Sequence, residues 1–205
     1  MQPLLRALHS LSVALWFGTV AFFAVAALLI FGAFEAESRK EAAERPAWLP
    51  LPPLYAKAPS PKDLPDPLRL EQGSRAAGAA VGAVFPVYYA VQAGCAAVAL
   101  VTALLLARGD EGRWHRLRLA LCAVALLSVA AGWALERRVS GLQEARNSQT
   151  DELLAGRADL AAAVQARKAF GMWHGINLLQ SYATLALAGG LTVLLPVLSG
   201  PARAR

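Results

Sequence analysis

The stretch Phe170-Gly-Met-Trp-His-Gly-Ile-Asn-Leu-Leu-Gln-Ser181 puts an imidazole, a carboxamide and a hydroxyl into the first turns of a segment, Ala169–Ala202, that holds no charged residue. At 100° per residue His174, Asn177, Ser181 and Thr184 share one stripe, which Ala188 continues and Gln180 flanks. These groups exchange hydrogen bonds and, at the imidazole, protons. Lipid satisfies none of them, so the stripe is expected to face other helices.

A second set of polar groups lies where it can meet the first. Tyr88, Tyr89 and Gln92 follow Pro86 near the start of one apolar run, and Glu136, Arg137 and Arg138 close another. Antiparallel threading of the apolar runs gathers His174, Asn177, Ser181, Glu136, Arg138, Tyr88, Tyr89 and Gln92 toward one membrane face. His174 is expected to hydrogen-bond Glu136, Tyr88 or Tyr89. Two readings of this cluster stand: a bonded knot that fixes helix register, or a site for a small molecule, lipid headgroup or ion, since ionisable groups inside a membrane usually serve function. His9 and His115 fall at the opposite face, and a lone histidine such as His9 near a helix end reads as an interfacial or hydrogen-bonded side chain.

The sequence excludes several chemistries. It contains no nucleophile–base pair, phosphate loop or metal-ligand spacing, so no catalytic residue, metal site or cofactor is expected. His9 and His174 begin antiparallel helices and would lie about 20–30 Å apart across the membrane, which excludes a shared haem. Cys95 and Cys122 sit inside apolar runs and form no disulfide framework. The net charge of +6 points to anionic headgroups rather than nucleic acid.

The elements that position these groups are helices. Of 205 residues, 57% are hydrophobic and only 17% charged. No Asp, Glu, Lys or Arg occurs in Ala7–Phe34, Ala76–Ala107, Leu119–Leu135 or Ala169–Ala202. A span takes about 20 apolar residues, so the chain is expected to be an all-α membrane protein, an antiparallel four-helix transmembrane bundle with spans at residues 7–34, 76–107, 117–136 and 169–197. The first run is too long for the core of a signal peptide, and its Ala14 and Gly18 suit a close helix contact, as do Gly78 and Gly82. Pro86 is expected to kink the second span. Eight of the twelve prolines fall between Pro46 and Pro67, which makes that insert an irregular spacer in the first connection. Residues 137–168 carry an apolar stripe (Val139, Leu142, Leu153, Leu160, Val164) among charges. They read as an extramembrane helical hairpin turning at Asn147–Asp151. The last helix is expected to end near Pro196. Four spans leave both termini on one side, and the four arginines of the short second connection place that side in the cytoplasm. Besides the bilayer, the partners suggested are a protein docked on the hairpin and proline-rich loop, or a second copy of the chain.

Four places carry a family likeness: Leu15-Trp-Phe-Gly18 with Phe31 and Phe34; Ala77-Gly78 with Phe85-Pro86-Val-Tyr88-Tyr89; Glu136-Arg-Arg138; and Phe170 with His174-Gly175. In this order and spacing they resemble the family typified by transmembrane protein 205, a four-span membrane domain without an assigned reaction. The proline-rich insert is long for that family, and Arg137 stands where the family often has proline. The resemblance implies the fold and membrane placement but no activity.

Overall fold

The computed structural model describes residues 2–40, 66–107 and 113–199. They form five helices, α1 (Gln2–Arg39), α2 (Asp66–Gly82), α3 (Phe85–Ala107), α4 (Arg113–Leu154) and α5 (Leu160–Ser199), and no strand. The chain is all-α, as its unbroken apolar runs require: a backbone in hydrocarbon must bond to itself within the segment. Helices α1, α4 and α5 have 38, 42 and 40 residues. At 1.5 Å per residue each is about 57–63 Å long, roughly twice a bilayer core. Four helices, all but α2, are long and apolar enough to cross a membrane.

The expected second span is two helices rather than one kinked helix. Helix α2 stops at Gly82, the Val84 amide bonds the Val81 carbonyl at 3.0 Å, and α3 restarts at Phe85. Pro86 explains the break: it has no N–H, its ring would strike the carbonyl four residues back, and it restricts Phe85. In α3 it occupies the first turn, where a missing amide hydrogen costs nothing. Helix α5 runs to Ser199, three residues past Pro196. The proline there falls in the final turn. The proline-rich insert lies outside the described residues except for Asp66 and Pro67, which open α2. Residues 108–112 of the second connection and the tail 200–205 lie outside them too.

The chain divides into two compact units. The first takes α1 through Phe23, α3 from Pro86, α4 through Leu135 and α5 from Asn177. Its four helices close a ring of contacts. Trp16 Nε1 donates to Gln92 Oε1 at 3.3 Å, joining α1 to α3. Tyr89 stacks on Trp133, joining α3 to α4. Ser128 and Thr184 share a 2.7 Å hydroxyl bond between α4 and α5. Gly189 of α5 lies against the Phe17 ring of α1. Polarity runs inside out: Gln92, Thr102 and Thr184 are buried, whereas Phe22 is 76%, Leu179 71% and Val193 75% exposed. That is the arrangement of helices solvated by lipid, and the protein is an integral membrane protein.

The second unit takes α1 from Ala24, α2 with Phe85, α4 from Glu136 and α5 through Ile176. Helix α2 seats on α1 through Gly73, where any Cβ would collide with the Phe34 carbonyl and Ser38 Oγ. Gly78 makes room for the Gln143 amide, while Gly82 has nothing within 4 Å, so only half of this glycine pair is used. Helix α4 runs straight through Asn147–Asp151, where a turn was expected, and stops four residues after Thr150. The reason is at Gly156, whose φ of 72° suits only glycine without strain. Its amide bonds Leu153 O at 3.0 Å and the Arg157 amide bonds Glu152 O at 2.9 Å, the Schellman pattern that ends a helix. Asp159 then starts α5 by accepting from the Ala162 amide at 2.8 Å. Glu152 bonds Arg157 across this turn, which holds the guanidinium above its ordinary pKa.

Candidate functional site

The eight residues singled out by sequence are divided between the units. In the first unit Tyr88, Tyr89 and Gln92 are buried on one face of α3. Tyr88 stacks on Phe23 with ring centroids 4.1 Å apart and meets Tyr89 edge-on at 5.2 Å. Asn177 is buried, and its carbonyl accepts from Ser181 Oγ at 2.9 Å within α5. The expected interior stripe of α5 holds at Asn177, Thr184 and Ala188, all buried. Gln180 lies beside it and donates to Ser128 Oγ at 3.0 Å, a contact open only because Gly132 has no side chain in the way.

Glu136, Arg138 and His174 belong to the second unit. Glu136 is 8% exposed and accepts from Ser140 Oγ at 3.2 Å. Arg138, an exposed residue, lays its guanidinium over Trp173 at 4.1 Å. His174 is half-buried and stacks on Phe170 at 5.3 Å. Arg146 covers the Phe170 ring at 4.4 Å. A bond from His174 to Glu136 is not among the contacts of the described residues. The histidine is instead one layer of an Arg146–Phe170–His174 column.

The densest polar site went unseen in the sequence. Glu71 of α2 has a side chain 2% exposed, and three arginines surround it. Arg75 donates to Oε1 through Nε at 3.2 Å and Nη2 at 3.0 Å. Arg167 donates to Oε2, and Arg146 Nε stands 3.8 Å from Oε1. Arg75 also reaches Asp151 Oδ1 at 2.7 Å and the Asn147 carbonyl at 2.7 Å. One helix turn separates Glu71 from Arg75, a spacing visible in the sequence. Nothing in the sequence indicates that Arg146 and Arg167 join them from 75 and 96 positions away.

His9 follows the second of its two expected readings, a hydrogen-bonded side chain. It is 3% exposed rather than interfacial, and its Nδ1 lies 3.1 Å from Ala99 O and 3.0 Å from Thr102 Oγ1.

These features define a class, an integral membrane protein of antiparallel helices with an apolar half and a charged half. Within it, residues 69–148 match a family described as a domain of unknown function, DUF4149. The match runs from α2 through most of α4 and includes Glu71, Arg75, Tyr88, Tyr89, Gln92, Glu136, Arg138 and Arg146, but covers less than half of the chain. No curated protein and no solved structure matches.

Proposed function

We propose that this protein is a non-catalytic, four-span membrane protein that binds an anionic lipid headgroup where α4 and α5 leave their uncharged runs. The observation that carries this reading is the Arg138–Trp173 stack. Tryptophan prefers the headgroup level of a bilayer. A guanidinium fixed over its ring keeps its in-plane donors available for the paired oxygens of a phosphate. Arg137 and Lys168 are exposed on the same two helices, and Glu136 is turned inward. The headgroup would therefore meet positive charge at this level, worth about 1 kcal/mol per basic residue near the surface. His174, on the next residue after Trp173, completes the polar side of the site. The likeness to the transmembrane protein 205 family belongs to this reading, as does the placement of both termini in the cytoplasm.

Thermal unfolding in bicelles tests it. Phosphatidylglycerol added to phosphatidylcholine bicelles should raise the midpoint of the native protein, and Arg138→Ala should remove most of that rise. Equal midpoints in the two lipid mixtures would reject the headgroup reading.

A second reading, a membrane scaffold for a protein partner or a second copy of the chain, is supported by the tip of the α4–α5 hairpin. There Leu160 is 61% and Val164 51% exposed on one face of a charged segment. A single monomer mass in native mass spectrometry, unchanged by Leu160→Glu, would count against it.

A further inference from the structure

The first unit carries charge of one sign. Among its described residues the charged side chains are Arg6, Arg113, Arg116 and Arg118, and none is acidic. All four lie at the end where α1 begins, α3 stops and α4 begins. The sequence at these helix ends and at the end of α5, residues 1–6, 107–118 and 198–205, holds seven arginines against Asp110 and Glu111. Five of the chain's six net positive charges therefore belong to these short stretches.

Helix α4 shows which surface the charge serves. Its inward side is fixed by Arg118, Cys122, Ala125 and Val129, all buried. On the other side Arg113, Arg116, Leu117, Ala120, Val124 and Leu127 are exposed. At 100° per residue these six fall on one stripe. The stripe is basic in its first turn and apolar from Leu117 onward, where Leu117 is 41%, Val124 51% and Leu127 69% exposed. Trp114 flanks the basic turn, with the Arg113 guanidinium over its ring at 5.1 Å.

We propose that this stripe binds anionic phospholipid in the leaflet at this end of the molecule, independently of the Arg138–Trp173 site. A phospholipid presents the same order of chemistry along the membrane normal, an anionic phosphate and then apolar chains. Trp114 suits the headgroup level. Arg113 and Arg116 are three residues apart and so are neighbours on the helix surface, as two donors to one phosphate must be. The surplus of positive charge favours a headgroup with net negative charge over a zwitterionic one, whose ammonium offsets its own phosphate. A soluble anion would satisfy the arginines but leave Leu117, Val124 and Leu127 uncovered.

The test uses the full chain with 15N-labelled tryptophan in phosphatidylcholine bicelles, with the Trp114 and Trp173 indole resonances followed separately. Added phosphatidylglycerol should move Trp114 saturably. Phosphatidylethanolamine, which has the phosphate and the chains but no net charge, should leave it in place, as should glycerol phosphate, which has the charge but no chains. Arg116→Glu reverses one charge and keeps the Arg113–Trp114 stack. It should weaken the Trp114 response on the order of tenfold or more and leave the Trp173 response unchanged. Trp16, bonded to Gln92 inside the same unit, reports whether the variant is folded. In the native chain, salt at about 1 M, where screening shortens to about 3 Å, should abolish the Trp114 response; this arm decides if Trp16 moves in the variant. The proposal is overturned if phosphatidylglycerol leaves Trp114 unmoved, or if phosphatidylethanolamine or glycerol phosphate moves it equally. A response that survives high salt, or the folded Arg116→Glu variant, at full strength also overturns it. Absence of a response at Trp173 alone would reject the other headgroup site and leave this one standing.

Discussion

Helices of the first unit are joined mainly by neutral groups, Trp16 with Gln92, Ser128 with Thr184 and His9 with Thr102, with the buried Arg118, which donates to the Ala103 carbonyl, as a charged exception. The second unit is joined by charges, with Glu71 taking Arg75 and Arg167 directly and Arg146 close by, and with Arg138 and Arg146 lying over aromatic rings. Desolvation accounts for the difference. Moving a hydroxyl or amide out of water costs a few kcal/mol, which one good hydrogen bond offsets, whereas an ion needs several partners at once. In α4 the boundary between the units, Leu135 to Glu136, falls where the uncharged run 119–135 ends. Neutral polar contacts thus predominate in the part of the chain that lipid must surround, where Arg118 is the exception, and charged ones in the part that water or headgroups can reach.

The largest expected effect breaks the charged half. Glu71→Gln leaves three arginines around a neutral amide, and removing one partner of a buried ionic network typically costs about 3–5 kcal/mol. Hydrogen exchange should rise through α2 and residues 137–168 while α3 keeps its protection. Uniform loss of protection along the whole chain would show that the two units do not differ in what holds them.

Gly73→Ala tests the same half without touching a charge. Its Cβ would drive into the Phe34 carbonyl, a backbone atom with little freedom to yield. Overpacking of this kind costs about 1–3 kcal/mol, and added salt should not change that figure. Full native stability for this variant would mean α2 is not seated on α1 as described.

Gln92→Leu addresses the neutral half. It removes the acceptor for Trp16 Nε1 inside the first unit, with an expected loss of about 1–3 kcal/mol in bicelle unfolding. The double change with Trp16→Phe should cost less than the sum of the single changes. Strict additivity would dismiss the bond as a stabilising contact.

The smallest effect is expected at Arg157→Ala. Its bonds to Glu152 lie in solvent at the hairpin turn, and exposed pairs contribute little. No change in unfolding midpoint is expected, whereas Gly156→Val, at a positive φ, should lower it. A large loss at Arg157 would mean that charge, rather than the glycine, sets this turn.

The sequence by itself determined the four apolar helices and their capacity to cross a membrane, though not the separate helix α2, because both depend on local quantities. An uncharged run of sufficient length must bond its own backbone. The stripe of Asn177, Thr184 and Ala188 was legible for the same reason, since helical period alone puts them on one side. Turns were less legible: the polar run Asn147–Asp151 imitates one, but it sits on a continuing helix, and the stop belongs to Gly156 with its left-handed φ. Only the tertiary structure decided which polar groups meet. Glu71 and Arg167 are 96 residues apart in sequence, and no periodicity carries information over that distance. For His9, near a helix end, an interfacial and a hydrogen-bonded side chain were both open, and α3 decides for the second through Ala99 O and Thr102 Oγ1. Pairing across helices depends on rotation, depth and the space that residues such as Gly73 and Gly132 leave open, and these are properties of the packed chain.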